Sequence, residues 1–402
     1  MTLKKVHIKN FKSIVDLSLD LGLINVFIGE NGSGKSNILE AFAFLAAAAS
    51  DKLDNEFLAS RGIRVTDPQF MRSAFVENPD VPISIDIEDG EGVQTGFEIK
   101  SLSNSPYPRW RSEQRTVSPE FPTHLSPQES FEDFLKKIPE SVHGMRQLFS
   151  IPIPATAEKL GWPPETLIKI LMSTFYTQYN HALLEGFVIY SPENSALRTF
   201  EREGQILPLG VRGEGLLKLL RVLSKDEVDS WEALLQNMSL LDWLASVEID
   251  PDNSAPEQSV QLRDRFVSDA IPAFDQRSAN EGFLYLLFFL ALVLSKSTPQ
   301  RFAIENMDTA LNPKLCSELM RRLATLAIER GKQILFTTHN PSLLDGLDLH
   351  DDNQRLFVVS RNRDGHTTAR RILPPQPVRD ELPIRLSEAF TRGLLGGIPQ
   401  NF

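Results

Sequence analysis

The chain has 402 residues, of which 41% are hydrophobic, and its 42 Lys and Arg against 53 Asp and Glu give a formal net charge of −11. This length favours one large elaborated domain or two lobes, and the acidic balance argues against a broad surface that binds a phosphate backbone. The single cysteine, Cys316, excludes an intrachain disulfide framework. Because no signal-peptide pattern opens the sequence and the apolar run Phe283–Leu294 is too short for a bilayer, we expect a cytoplasmic protein without a membrane anchor.

The N-terminal segment predicts three strands and a helix. Leu3–Ile14 alternates apolar and polar residues, which predicts two strands, and the apolar run Ile24–Ile28 predicts a third, buried strand. Gly29–Ser36 then reads G-E-N-G-S-G-K-S, which matches the P-loop pattern G-x-x-x-x-G-K-S. A helix over Ser36–Ala49 is predicted to follow.

The P-loop pattern predicts a phosphate-binding site for a physical reason. The glycines of the loop Asn31, Gly32, Ser33 and Gly34 let backbone N–H groups face a common point. The helix N-terminus adds partial positive charge at the same place. The Lys35 side chain can reach β- and γ-phosphates, and the Ser36 hydroxyl suits Mg²⁺.

The middle of the chain is less informative. Val81–Glu88 predicts a strand that pairs with Thr95–Lys100. The Ser- and Pro-rich segment 101–127 favours a solvated surface insertion over a nucleic-acid-binding loop, although it carries Arg109, Trp110, Arg111 and Arg115. Helices are predicted at Glu129–Lys137, Pro164–Glu185, Glu214–Leu223 and Glu227–Met238, a short strand at Phe187–Tyr190 and a polar linker at Asp250–Gln258. No heptad pattern persists, so we expect no long coiled-coil arm.

Two more strands are predicted in the C-terminal third. Arg301–Ile304 is a buried-strand candidate that ends in Glu305-Asn306, and a helix over Lys314–Glu329 follows it. Gln333–Thr337 is a second strand, and it ends just before His339. Strand–helix–strand units in series predict a parallel α/β sheet with functional residues at the strand C-termini. Glu305 is therefore expected in the Mg²⁺ shell.

A second anion-binding helix start is predicted upstream of these strands. Asn280, Glu281 and Gly282 lead directly into the apolar helix Leu284–Leu294. A polar cap with glycine at a helix N-terminus favours an anion. One chain does not need two such ends for one nucleotide, whereas two chains that face each other do. This predicts a homodimer or a higher homo-oligomer.

The ordered motifs resemble a known family. They are the P-loop followed by Asn37, the helix start at Asn280–Gly282, the strand-end acid with Thr309–Asn312, and the segment Thr337–Pro341, together with the opening Ile8–Ser13. This set resembles the ABC-type ATPase heads of the RecF, SMC and OLD class, and most of all their compact bacterial AAA-family relatives. The resemblance is firm over residues 1–50 and 270–345.

The resemblance implies roles for individual residues. In that class, two heads sandwich two ATP molecules. By analogy, Asn280–Gly282 would contact the γ-phosphate at the partner's P-loop, and His339 would sense the γ-phosphate at its own. Thr309–Asn312 would cross the dimer interface, and Gln69 would contact Mg²⁺ and water. The remaining nucleotide contacts would come from Lys12, Ser13 and Asn37 beside the P-loop residues.

The chain departs from the family pattern at the catalytic position. Relatives usually carry Asp-Glu at the strand end, where this chain has Glu305-Asn306. An amide can orient a water but cannot take its proton, so we expect slow or triggered hydrolysis, or completion by Asp308 or a partner. The expected catalytic set is therefore Lys35, Glu305, Asn306, Asp308 and His339.

These observations lead to one expectation and two alternatives. We expect an α/β fold of the P-loop NTPase, ABC-ATPase head type, with a mixed sheet, flanking helices and a helical insertion lobe. The expected division is residues 1–100 and 271–402 for the head and 101–270 for the insertion. The function would be an ATP- and Mg²⁺-dependent sensor ATPase of an antiphage system that acts with a separately encoded effector. The alternatives are a RecF-like DNA-repair ATPase that binds DNA directly, which the charge does not indicate, and a non-hydrolysing scaffold gated by nucleotide.

Overall fold

The computed structural model describes most of the chain. The described residues are 2–78, 80–90, 92–102, 110–117, 153–163, 166–167, 170–171, 174, 183–184, 186–198, 207–249, 260–268, 273–308, 311–374 and 384–397. The helix predicted at Glu129–Lys137, the polar linker predicted at Asp250–Gln258, and Arg109, Thr309 and Ala310 lie outside these ranges.

The described part of the chain contains fourteen strands, ten α-helices and two 3₁₀ helices. The strands are β1 (Leu3–Phe11), β2 (Ile14–Asp20), β3 (Ile24–Ile28), β4 (Ile83–Asp89), β5 (Gln94–Ser101), β6 (Trp110–Val117), β7 (Ile189–Tyr190), β8 (Leu244–Ile249), β9 (Val260–Asp264), β10 (Phe274–Asp275), β11 (Arg301–Ile304), β12 (Gln333–Thr338), β13 (Gln354–Arg361) and β14 (Thr367–Ile372). The α-helices are α1 (Lys35–Ala49), α2 (Asn55–Ser60), α3 (Pro68–Met71), α4 (Ile153–Leu160), α5 (Asn194–Leu197), α6 (Leu216–Asp226), α7 (Val228–Asn237), α8 (Glu281–Leu294), α9 (Pro313–Glu329) and α10 (Leu386–Thr391). Two 3₁₀ helices cover Met238–Leu240 and Pro341–Gly346.

The predicted parallel sheet is present and has six strands. Their order is β14-β13-β3-β12-β11-β7, and all neighbours are parallel except the edge strand β14. The P-loop strand β3 lies between β12 and β13, which come from the C-terminal part of the chain. The carboxyl ends of β3, β11 and β12 therefore meet at one edge, the place where open α/β sheets bind ligands.

The P-loop helix α1 is packed between this sheet and a second one. The second sheet is antiparallel, in the order β2-β1-β4-β5-β6. Twelve of the fifteen residues of α1 are buried, which its apolar and alanine-rich sequence allows. Gln333 joins the two sheets, because its side-chain amide donates to the Leu3 carbonyl at 2.7 Å and accepts from the Leu3 N–H at 2.8 Å. The P-loop is thus anchored to a rigid support.

The opposite face of the six-stranded sheet carries the apolar helix α8. Every residue of Phe283–Leu294 in this helix is buried, as the sequence predicts, and α8 packs against α6, α7 and α9. None of the helices in the described part of the chain combines the length and the apolar character that a membrane crossing requires.

Two features of the middle of the chain differ from the sequence prediction. Trp110–Val117 belongs to the segment predicted as a surface insertion, yet it forms the edge strand β6 and pairs with β5. The segment 244–275 contributes a small antiparallel sheet, β10-β9-β8, beside the predicted helices. β6 is rich in polar residues, so its pairing with β5 determines its structure more than an apolar pattern does.

Candidate functional site

The P-loop connects β3 to α1 in a conformation that only glycine fits. Gly32 and Gly34 have φ of 75° and 106°, in the left-handed region that side chains disfavour. A Cβ on Gly34 would lie 2.0 Å from the Thr367 Oγ1, and one on Gly29 would lie 2.0 Å from the Val359 carbonyl oxygen. The loop is therefore tightly packed against the β13–β14 hairpin.

The Lys35 side chain is folded into the P-loop. Its Nζ donates to the carbonyl oxygens of Gly29 at 2.8 Å and Glu30 at 2.9 Å. Burial lowers the pKa of Lys35 to about 8, although the carboxylates of Glu30 and Glu305 oppose the shift. The ammonium group is thus held under the loop by weak neutral acceptors, and a phosphate would be a stronger partner for it.

Ser36 and Glu305 meet across the sheet edge. The Ser36 hydroxyl donates to the Glu305 carboxylate, and the Glu305 N–H donates to the Tyr190 carbonyl at 2.8 Å, which fixes the end of β11 against β7. These two oxygen donors fit Mg²⁺, a hard cation that takes one or two protein ligands and completes its shell with phosphates and water. Within the described residues, no group of three or more His, Cys, Asp or Glu side chains could hold a metal.

A cavity of about 350 Å³ opens above these groups. It brings together residues from both ends of the chain. The lining residues are Asn31, Gly32, Gly34, Lys35, Ser36, Asn37, Arg64, Glu305, Asn306, Thr337, His339 and Arg361. Sequence reasoning missed Arg64 and Arg361, which carry no local motif and reach the cavity only through the fold, whereas Thr337 belongs to the motif Thr337–Pro341.

Asn306 lies in the cavity wall with an unusual backbone conformation. Its φ is 53°, a region that Asn tolerates better than most residues. Its N–H donates to the Thr337 Oγ1 at 3.1 Å. The Asn306 side chain thus follows the strand-end acid Glu305. An acidic residue at position 306 would have to adopt the same left-handed backbone conformation.

His339 and Asp308 are neighbours with different surroundings. His339 lines the cavity, and partial burial together with the nearby Lys35 charge lowers its pKa. Asp308 instead accepts from the Thr338 hydroxyl at 2.7 Å and from the His339 N–H at 3.4 Å. Asp308 is not part of the cavity wall, and its visible contacts fasten the end of β12.

The predicted nucleotide contacts Lys12 and Ser13 lie beside the cavity rather than in its wall. Lys12 forms an ion pair with Glu40 of α1, and burial lowers the pKa of Lys12 although Glu40 opposes this. Glu40 also accepts from the Arg64 Nε at 2.5 Å, and this contact holds Arg64 next to the cavity. Ser13 is buried, and its hydroxyl is hydrogen-bonded within the protein.

Other predicted residues lie away from the cavity. Gln69 is exposed on the short helix α3 and does not line the cavity. Asn280 caps α8 by accepting from the Phe283 N–H at 2.8 Å. Glu281 accepts from the Asn194 amide at 2.6 Å. Asn280, Glu281 and Gly282 do not line the cavity of their own chain.

Arg198 holds the backbone that leads into α8. Its guanidinium donates to the carbonyl oxygens of Gln276 at 2.5 Å, Arg277 at 2.7 Å and Ala279 at 2.8 Å. No local sequence signal identifies this role, because the acceptors are backbone groups far along the chain. The start of α8 is therefore fixed in place by side-chain contacts.

Two parts of the chain match family models of known ATPases. Residues 1–90 match the family described as "AAA ATPase domain", and residues 234–345 match "AAA domain, putative AbiEii toxin, Type IV TA system". The DNA replication and repair protein RecF of Lactococcus lactis subsp. cremoris is 34% identical over 89 residues, which cover 22% of this chain and 24% of the relative. The chain contains an ABC-type ATPase head of the RecF/SMC class.

Further similarity concerns the P-loop region and the fold of the head. The chromosome partition protein Smc of Methanocaldococcus jannaschii is 47% identical over 53 residues, or 13% of this chain and 4% of the relative. A solved structure of an Smc head bound to the C-winged helix domain of ScpA superposes with a TM-score of 0.52 at 15% identity, over 93% of this chain and 98% of that chain. The aligned segments thus span about a quarter or less of the curated RecF and Smc relatives. The structural similarity, in contrast, extends over nearly the whole of the solved Smc head.

Proposed function

We propose that this ABC-type head binds ATP with Mg²⁺ and hydrolyses the ATP slowly. The observation that carries the proposal is the single cavity in which the P-loop, Ser36, Glu305 and His339 converge, although they come from opposite ends of the chain. A P-loop with a strand-end acid and a strand-end histidine is an arrangement suited to a triphosphate. Ser36 and Glu305 would hold Mg²⁺, which would supply positive charge to neutralise the phosphates.

Each side chain has a distinct task in this proposal. Lys35 would exchange its two loop carbonyls for phosphate oxygens, and Ser36 and Glu305 would hold the metal. Asn306 would orient the attacking water through its amide without accepting the proton, which makes hydrolysis slow. His339 carries a lowered pKa, so its ring is neutral near pH 7 and can offer one donor and one acceptor beside the γ-phosphate.

The first test is the variant Lys35→Ala. It removes the ammonium group from the cavity, and we expect it to abolish the heat of ATP binding in calorimetry with Mg²⁺ present. The matched control is Lys4→Ala, which removes an exposed lysine from β1 and should leave binding unchanged. Thermal melting of both variants checks that the fold is intact. An unchanged ATP affinity in a folded Lys35→Ala protein would sink the proposal.

We also propose that the head assembles with a second copy around ATP. The start of α8 at Asn280–Gly282 is held rigidly by Arg198 but does not line its own cavity. An ordered helix N-terminus with no phosphate of its own suits the γ-phosphate of a facing copy. Asp308 and residues Leu311 and Asn312 would lie near this interface, and a larger homo-oligomer could be built in the same way.

The biological role that we propose is a sensor ATPase of an antiphage system, working with a separately encoded effector. This rests on the resemblance to compact heads without long arms. The second candidate is a RecF-like DNA-repair ATPase, which the local similarity to RecF favours. Fluorescence anisotropy with duplex DNA at about 50 mM and about 200 mM salt separates the two roles. Strong binding that falls steeply with salt favours the repair ATPase, whereas weak binding at both concentrations favours the sensor.

A further inference from the structure

Thr367 lies directly behind the P-loop, outside every motif of the sequence. It is 1% exposed at the start of β14. Its hydroxyl donates to the Ser33 carbonyl at 2.9 Å, and its own N–H donates to the Ser13 carbonyl at 2.9 Å. The hairpin that follows the nucleotide-binding strands thus contacts both the P-loop and the β1–β2 turn.

The hydroxyl of Thr367 is the last member of a directed chain of hydrogen bonds. The Ser13 and Thr367 hydroxyl oxygens are 2.6 Å apart, and the Asn37 amide donates to the Ser13 hydroxyl at 2.6 Å. Each hydroxyl has one proton, and that of Thr367 is used on Ser33. Ser13 must therefore donate to Thr367, so the chain runs from the Asn37 amide through the Ser13 and Thr367 hydroxyls to the Ser33 carbonyl. Such chains polarise their members and strengthen each bond.

This chain orients one peptide of the P-loop. In a trans peptide the C=O and the next N–H point in opposite directions. Because the Ser33 carbonyl is held by Thr367, the Gly34 N–H is turned away from β14 and toward the cavity that Gly34 lines. Arg361, on the other side of the hairpin turn, holds the preceding carbonyl in the same way, with its Nε 2.8 Å from the Gly32 oxygen.

We infer that Thr367 is a positioning residue for phosphate binding, which aims the Gly34 N–H through its hydrogen bond to Ser33. The inference rests on the proposed ATP site. It also assigns the Ser13 hydroxyl, and the Asn37 side-chain amide that donates to it, to the support of the P-loop rather than to nucleotide binding. Valine at position 367 would fill the same space as threonine but lacks the hydroxyl. The inference therefore concerns the hydroxyl of Thr367.

The test compares Thr367→Val with Thr367→Ser. Valine keeps the shape but leaves the Ser33 carbonyl and the Ser13 hydroxyl without their partner, and we expect ATP affinity to fall about tenfold. Serine keeps the hydroxyl and should stay within about twofold of wild type. The matched control is Thr368→Val on the exposed face of the same strand, which should also stay within about twofold. The KM for ATP should rise in Thr367→Val while kcat changes little, a split that a general loss of stability does not produce.

The outcomes separate this inference from the proposed function. If wild-type protein binds ATP and Lys35→Ala does not, an unchanged affinity in Thr367→Val overturns the positioning role alone. If wild-type protein binds no ATP, both proposals fall. Should Thr367→Val not fold, Thr367→Ala removes the same hydroxyl with a smaller side chain, and an unchanged ATP affinity in that variant overturns the inference.

Discussion

Tyr190 has a buried hydroxyl with no hydrogen-bond partner among the described residues. The ring is fully buried at the end of β7, and its edge meets Phe288 and Phe302 with centroids 5.9 Å apart in each case. Burial raises the pKa of the hydroxyl far above its usual value. A buried and unpaired hydroxyl destabilises the folded state, because it loses its bonds to water.

We therefore expect Tyr190→Phe to raise the free energy of unfolding by about 1 kcal/mol. Denaturant unfolding measures this change. Tyr285→Phe is the matched control, because the Tyr285 hydroxyl is also buried but donates to the Pro192 carbonyl at 3.0 Å. The free energy of unfolding of Tyr285→Phe should therefore fall by about 1 kcal/mol. Destabilisation of both variants to the same extent would mean that the Tyr190 hydroxyl has a bound water as its partner.

Sequence reasoning correctly placed in the cavity only those residues that belong to a local sequence motif. Lys35, Ser36 and Glu305 follow strands and precede helices, so local patterns are sufficient to place them. Arg64 and Arg361 reach the same cavity through contacts between distant segments, and no short pattern encodes such contacts. Ser13 illustrates the opposite case, because its motif is genuine but its hydroxyl is used inside the protein.

Helix α8 ends at a buried lysine. The Lys332 Nζ donates to the carbonyl oxygens of Leu292 at 2.9 Å and Ser295 at 2.7 Å, and also to the Thr298 hydroxyl. A cation at a helix C-terminus satisfies free carbonyls and complements the helix dipole. Burial nevertheless lowers the pKa of Lys332 to about 7, although Glu227 opposes the shift.

The lowered pKa predicts a pH dependence of stability. Lys332 titrates near 7 in the folded chain and near the usual 10.5 in the unfolded chain, so the unfolded chain binds more protons between these values. Stability should therefore rise with pH across this window, by up to about 1 kcal/mol per pH unit. The measurement is the free energy of unfolding from about pH 6.5 to about pH 9.5 for wild type and Lys332→Met. The difference between the two proteins should grow in favour of wild type as pH rises, and parallel curves would contradict the prediction.

The elements themselves were predictable where an apolar pattern was strong. The strands β3, β11 and β12 and the helices α1, α8 and α9 were found from periodicity and helix-end signals. The edge strand β6 was missed because its sequence is polar and its strand state comes from backbone pairing with β5. An edge strand needs only one partner and one buried face, so its sequence carries a weak signal.

The whole molecule is proposed to assemble when ATP binds. ATP can drive assembly only if it binds the closed state more tightly than the open one. We expect mass photometry to detect a larger species with Mg-ATP, and Lys35→Ala to stay at the mass of the free chain. Phosphate release in the same samples should be slow because Asn306 cannot accept a proton. Assembly that ignores nucleotide, with brisk phosphate release, would mean that another base replaces Asn306.

Restoring a carboxylate at position 306 separates an enzyme from a scaffold. A non-hydrolysing scaffold should gain phosphate release and lose its ATP-held assembly, whereas an enzyme that already uses another base should change little. Asn306→Glu is the direct variant, but the left-handed backbone at this position, with φ of 53°, disfavours Glu. Asn306→Asp is the matched variant, because Asp tolerates this backbone better. Agreement between the two variants assigns the effect to the carboxylate rather than to strain.

The position of β3 in its sheet also governs how the protein is made. About 300 residues separate β3 from its two neighbours, β12 and β13, so the ribosome completes β3 long before either of them. At typical rates of translation, β3 therefore remains unpaired for on the order of 15 to 60 seconds. During that time it is a hydrophobic strand with two open edges, the kind of segment that chaperones bind. A nascent or truncated chain that lacks residues 333–361 lacks both strands that pair with β3.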